Sequence, residues 1–437
     1  MTAEIAIYNK SSVALAADSA VTIQGGSTYK IYNGAEKLFA LSKAHPVGVM
    51  VYGSGSLCGV PWELIIKQFR KKHGSTQRDT LEQYAQAFWA FLVAEQHLIP
   101  PEMKENSLCH FYEQVFRNEI FSKIEDLAFG FIQSNQRHPT IEETYNLLRE
   151  HCVDLTNMLR NVEFYENLTE QDLQDALPFA SEVASHLCEK NLPSEESQIP
   201  EALINAVASV FVNASCKKIE IGANTGIVFA GFGDQEYFPV VLAFNLLGFI
   251  NGKLRLSPNS KKSAPAGASG LIAYAQEEEV DSFVSGISKN IKNKVIIDSK
   301  LLLQNVLDRA SENVEKLDID EQSKQAFKGE LIDTATQMYD QFNQNLQKHI
   351  QTCYIDKVVD MVAFLPKQDL AEMAESLVNL TAFKRKVSND SETVGGPVDV
   401  AIISKGDGFI WVKRKHYFKK DLNQHYFDNQ ANGAYQS

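Results

Sequence analysis

The chain opens on short runs of apolar and polar positions that read as strands. Glu4–Tyr8 alternates, Asn9 and Lys10 turn the chain, and residues 12–17 are apolar enough for a buried strand. Gly25 and Gly26 break the pattern, and two further runs, 37–41 and 47–52, are joined through His45-Pro46. From residue 60 to about 218 the period becomes helical, as in Trp62, Leu64, Ile65 and Phe69 and then Leu81, Tyr84, Phe88, Phe91 and Leu92. Pro100-Pro101, Pro139, Pro193 and Pro200 punctuate this stretch where new helices can begin, which predicts about six of them. Strand character returns at 226–233, 237–244 and 254–256, before a Ser/Pro/Gly/Lys loop at 257–269. A second helical block runs over about 277–383, with loop signals only near Asp318 and Pro366. Residues 398–404 and 408–413 then flank Lys405-Gly406-Asp407-Gly408, a hairpin signature, and a polar, aromatic tail follows from His416.

Strands, helices, strands, helices, strands is the resulting order, with no repeat of 20 to 50 residues. Strands distant in sequence must pair, so the expectation is an α+β protein of antiparallel layers covered by helices. A single domain divides into a β core with the active site at 1–56, a helical insertion at 57–220 and core strands at 221–276. A helical layer at 277–388, a final hairpin at 389–415 and a tail at 416–437 complete it.

Composition narrows the function classes. With 437 residues, 44% of them hydrophobic and 22% charged, collagen-like and wholly disordered readings are excluded. A net charge of −13 leaves only short basic runs at 67–72 and 413–420, so nucleic acid is not an expected partner. The six cysteines are scattered without a CxxC, which fits a reduced compartment. No targeting segment is visible at either end, and the longest apolar run, 238–250, falls far short of the ~20 residues that span a bilayer. The expectation is a cytoplasmic, soluble protein without membrane contact.

Several chemistries fail on spacing. Gly53-Ser54-Gly55 with Gly59 lies between a strand and a helix, but the third glycine is one position late and no second strand with a terminal acid follows. No P-loop, HExxH or paired Cys/His set occurs, so neither a metal nor a cofactor is expected. What remains is Thr2. If Met1 is removed, the α-amine of Thr2 sits beside its own hydroxyl, and one residue holds both nucleophile and base. The amine must be neutral near pH 7, which a nearby cation or partial desolvation achieves. Candidate partners lie in the same β region: Asp18 directly after an apolar strand, Lys37 at the start of another, and Gly53 and Gly55 where a third strand ends. Glycine backbone N–H groups at such a strand end can approach an oxyanion.

These stretches resemble a proteasome β subunit or its bacterial relative HslV, among the N-terminal nucleophile hydrolases. The resemblance is carried by residues 2–7, 13–19, 36–42 and 47–55, by 226–233, and by 395–403 with Lys405-Gly406-Asp407-Gly408. It implies a four-layer αββα sandwich with enlarged helical insertions, acting as a threonine amidohydrolase, most simply a peptidase with a peptide or protein substrate. Alternatives are hydrolysis of a small non-peptide amide, or an inactive interaction scaffold on the same fold. By position, Thr2 corresponds to the nucleophile, Asp18 and Lys37 to the charge pair beside it, with Lys30 a rival for Lys37. Gly53 corresponds to the oxyanion donor, and Val51 and Gly55 contact substrate. The interval from Asp18 to Lys37 is longer than usual, so residues 24–33 are expected to form an enlarged loop. Asp390, Ser391 and Thr393 lie near the position of the groups that support the amine, out of register. Large aromatic residues on the first helical block, such as Phe88, Trp89 and Phe129, add the expectation of a homo-oligomer.

Overall fold

The computed structural model describes residues 3–25, 28–193, 198–219, 225–387 and 394–432. Thr2 therefore lies outside the described residues, as do Asp390, Ser391 and Thr393. The chain begins with β1 (Glu4–Tyr8), β2 (Ser12–Ala17), β3 (Val21–Gly25), β4 (Thr28–Tyr32), β5 (Leu38–Ala40) and β6 (Val47–Gly53). Two short strands, β7 (Ser56–Leu57) and β8 (Val60–Pro61), lead into α1 (Trp62–His73), α2 (Leu81–Ala94) and α3 (Pro101–Val115). The first helical block continues with α4 (Ile124–Asn135), α5 (Ile141–Arg160), α6 (Glu170–Asn191) and α7 (Glu201–Cys216). Then come β9 (Thr225–Gly231), β10 (Val240–Ile250), β11 (Lys253–Pro258) and β12 (Gly270–Ala275). The second block holds α8 (Glu277–Ser285), α9 (Lys289–Glu315), α10 (Glu321–Ile350), α11 (Asp356–Phe364) and α12 (Lys367–Val387), before β13 (Asp399–Ser404), β14 (Gly408–Lys413) and α13 (Gln424–Asn432).

Helix starts follow local chemistry. Pro101 occupies the first turn of α3, where its missing N–H costs no hydrogen bond. Thr140 and Glu143 form a reciprocal capping box at α5, which Arg137 closes with a bidentate pair to Glu143. Prolines 139 and 200 stand just ahead of α5 and α7, as the sequence pattern predicts.

Two compact units share the chain. The first is assembled from Met1–Asn33, Gly267–Ile402 and Val412–Lys415, and the second from Gly34–Ala266, Ile403–Trp411 and His416–Ser437. In the first unit, β1 pairs antiparallel with β2 on one side and β12 on the other, within a sheet of order β12-β1-β2-β13-β14. The small residues Ala3, Ala14 and Ala16 let α12 lie close on this sheet, and Leu370, Ala374, Leu377 and Val378 pack there with Ile5, Ile7 and Ile402. β2 is buried along its whole length.

The second unit contains the sheet β11-β10-β9-β6-β5, antiparallel at every pairing. Against it α1 and α2 set a run of aromatic edges: Phe88 and Trp89 meet Phe229 and Phe244 of the sheet edge-to-face, and Phe69 packs edge-on against Phe88 and Phe91 behind them. The other helices of this unit form a separate core, in which Tyr112 stacks on Phe211 with ring centroids 4.7 Å apart. Arg255, 1% exposed, donates to the carbonyls of Ser215 (2.8 Å) and Ala214 (3.3 Å) at the end of α7 and lies over the Phe111 ring. A buried cation is tolerable there because it meets the negative end of a helix dipole and an aromatic face.

The mixed α and β class with antiparallel sheets is as the pattern predicts. Residues 24–33 are a correction: instead of an enlarged loop, β3 and β4 form an antiparallel hairpin with Ile23 opposite Lys30. Among the described residues no helix is long and apolar enough to cross a membrane.

Candidate functional site

Asp18 follows the last residue of β2 and is 1% exposed. A buried carboxylate needs donors, and the backbone supplies three. Gly395 N–H donates to Oδ2 at 2.9 Å, Ala3 N–H to Oδ1 at 3.1 Å, and Ala20 N–H to Oδ2 at 3.3 Å. The Asp18 N–H returns a bond to the Ala3 carbonyl at 3.1 Å, so the residue after Thr2 is held to Asp18 by both main-chain groups. Ser19 extends the stitching to the segment before β13: its N–H donates to the Gly395 carbonyl and its hydroxyl to that of Pro397. Gly396 has φ 78°, and a Cβ built on it would come within 2.8 Å of Asn33 Cβ, so the crossing requires glycine.

Lys37, Val51, Gly53 and Gly55 belong to the second unit. Lys37, immediately ahead of β5, is 5% exposed, whereas its rival Lys30 is exposed on β4. The Lys37 carbonyl accepts the Val51 N–H at 2.9 Å, which ties the entry of β5 to the far end of β6. Val51 is buried in the core with Ile227 and Phe229. Gly53 ends β6 opposite Thr225, with φ 83° and its surface exposed. That left-handed conformation breaks the pleat and frees the chain to turn. Gly55 is exposed as well, and a Cβ there would meet nothing within 4 Å.

Beside this turn lies a cavity of about 290 Å³ whose lining includes Ser54, Ser56, Cys58, Ser107, His110 and Gln114. The last three non-turn groups come from α3, where positions 107, 110 and 114 share one helix face, and Gln114 Nε2 lies 3.0 Å from His110 Nε2. Their i, i+3, i+7 spacing is legible in the sequence, but its relation to the glycine turn is tertiary. Burial pushes the Cys58 thiol above the ordinary range despite the Ser107 hydrogen bond and the Lys104 charge. The buried thiols are further still from ionising, with Cys152 and Cys188 at about 12 and Cys216 at about 11, each raised chiefly by burial. Among the described residues no three His, Cys, Asp or Glu side chains gather as a metal site.

No family model matches the chain, and no curated protein matches it. Among solved structures, Anbu (ancestral beta-subunit) from Yersinia bercovieri aligns with 100% of this chain and 97% of its own, at 10% identity and a TM-score of 0.26. A likeness of that degree fixes neither fold nor activity. The resemblance to proteasome β subunits and HslV is accordingly corrected: its matching pieces are short and separated, no family model supports them, and the chain is not assigned to that family.

Proposed function

We propose that this protein is an amide hydrolase whose nucleophile is the Thr2 hydroxyl, with the Thr2 α-amine freed by removal of Met1, and that its substrates are peptides. The observation that supports this reading is the double tether between Ala3 and Asp18: it gives the residue next to the nucleophile a fixed main-chain position beside a buried carboxylate. A nucleophile that is its own base depends on such anchoring, since attack requires reacting atoms held about 3–3.5 Å apart. Thr2 Oγ attacks the carbonyl carbon as the amine takes the hydroxyl proton. The tetrahedral intermediate then collapses as the Thr2 ammonium returns that proton to the leaving nitrogen, which departs as an amine, and water deprotonated by the freed Thr2 amine hydrolyses the remaining ester. Lys37 and Gly53 enter this reading from their sequence context, as the cation that keeps the amine neutral and as the oxyanion donor.

The test combines intact mass with a threonine-directed electrophile. Protein lacking Met1 should form one adduct at Thr2, and Thr2→Ala should lower peptide hydrolysis on the order of 10³-fold or more while Thr2→Ser retains part of it. Purified protein that keeps Met1, or Thr2→Ala turning over like wild type, would sink the proposal.

A further inference from the structure

The longest helices of the first unit, α9 and α10, form an antiparallel hairpin closed by residues 316–320, where Asp320 caps α10 and Lys328 pairs with Glu315. Twenty-seven and thirty residues correspond to roughly 40 and 45 Å of helix. Over that length only Val314 and Ile350 are buried. The seam between the helices uses Ile296, Leu303 and Leu307 on α9 and Leu331, Ala335 and Leu346 on α10, all partly covered.

A second apolar face is left exposed among the described residues. Ile291, Val295, Leu302 and Val306 on α9, with Phe327, Met338 and Phe342 on α10, are each 37% to 66% exposed. At 100° per residue, each set occupies an arc of roughly 60°, displaced from its seam by roughly 110° on α9 and roughly 50° on α10, in the same rotational sense. In an antiparallel pair, that common sense places both arcs on one side of the hairpin. The opposite side is mixed: Asn293, Lys300, Gln304 and Ser311 on α9 and Gln325 and Thr336 on α10 are interspersed with Ile297, Leu301 and Ile332, three exposed apolar residues against seven on the first side. Seven large side chains at this exposure amount to roughly 700 Å², close to the ~800 Å² each partner contributes to a stable interface.

Charge selects the occupant. At the base of the hairpin, residues 289–300 and 340–350 carry five bases against two acids, whereas the tip, 308–330, carries seven acids against four bases. A hairpin with a basic base, an acidic tip and an apolar face along its length is complementary to itself when turned end for end about a two-fold axis. We propose that the α9–α10 face is the docking surface for a second copy of this chain, the two hairpins lying antiparallel, base against tip, as a four-helix layer. Base-to-base docking would instead bring Lys289, Lys292 and Lys294 of both copies together. The inference is independent of the Thr2 chemistry.

Sedimentation equilibrium on the full chain tests it. Wild type should sediment at twice the 48.8 kDa chain mass, and Leu302→Glu with Phe327→Glu should shift it to a single chain mass with unchanged helical circular dichroism. A charge pair keeps the test decisive if that variant misfolds. A base variant (Lys289→Glu, Lys292→Glu, Lys294→Glu) and a tip variant (Glu312→Lys, Asp318→Lys, Glu321→Lys) should each weaken self-association, and mixing the two should restore the double mass. A wild-type chain at its single mass means the face serves another partner and overturns the proposal. An assembly that ignores the apolar substitutions, or charge variants that fail to complement, overturns it equally.

Discussion

Removing the carboxylate of Asp18 is the most direct probe of how the N-terminal strand is held. Asp18→Ala leaves the N–H groups of Gly395 and Ala3, now bonded at 2.9 and 3.1 Å, without an acceptor in a place where Asp18 itself is 1% exposed. Each hydrogen bond to a charged acceptor is worth about 1.5–3 kcal/mol. The Ala20 contact at 3.3 Å is longer and adds less. Two good bonds therefore correspond to a loss of about 3–6 kcal/mol, towards the lower end as water enters the space the side chain vacates. Asp18→Asn keeps one oxygen and turns its NH₂ toward a donor, so about 1.5–3 kcal/mol is expected. Urea unfolding followed by circular dichroism measures both, and hydrogen exchange at Ala3 and Gly395 reports whether protection falls at those amides first. An alanine variant within 0.5 kcal/mol of wild type, with both amides still protected, would refute the cradle as an energetic feature.

Lys37→Ala should abolish peptide turnover with the circular dichroism spectrum largely kept, and Lys37→Arg should rescue poorly because a guanidinium differs in shape and hydration from an ammonium. A dead Lys30→Ala beside an active Lys37→Ala would show the wrong cation was chosen. Asp172 is pushed up by burial, but the Lys253 ammonium at 2.9 Å and the Thr169 donors outweigh this and hold its carboxyl below the usual range. The carboxylate's stabilisation is therefore present above the unfolded value near ~3.9 and lost as pH falls through the lower folded value. Asp172→Asn should cost about 1–2 kcal/mol at pH 7 and progressively less below pH ~4, and a gap that stays constant down to pH 2 would contradict that linkage. Gly396→Ala places a methyl group against Asn33 at a φ of 78° and should lower the melting temperature by several degrees, whereas an unchanged melting curve would show that the crossing yields easily.

Where apolar periodicity is strong, the elements were legible. Glu4–Tyr8, Ser12–Ala17 and the hairpin around residues 405–408 stand where alternation and turn residues place them, and the loop signals near Asp318 and Pro366 fall between α9 and α10 and just before α12. β3 and β4 were hidden because Thr, Gln, Ser and Lys dilute the alternation of Val21, Ile23, Tyr29 and Ile31, and paired glycines read as a break. β12 was missed for another reason. It follows a loop-like stretch and directly precedes a helix, and its strand character comes from pairing with β1, a partner far away in sequence. At the candidate site, Asp18 was marked by the apolar run before it. Its donor Gly395 was legible only as one member of a glycine pair, since no local pattern reports which carboxylate a distant amide will meet.

The interrupted path of the first unit sets the order in which the protein can be made. β1 and β2 leave the ribosome long before their sheet partners β12 and β13, which lie at residues 270–275 and 399–404. Translation at ~5–20 residues per second leaves roughly 20–80 s between the emergence of the N-terminal strands and the arrival of β13. The long central segment of the second unit is complete well before then. During that interval the beginning of the chain has no completed sheet to join, and the Gly395 amide that will close on Asp18 has not been synthesised. For tens of seconds Ala3 and Asp18 thus stand without the amide that will join them to the segment before β13, and the sheet closes around residue 3 only after that window has passed.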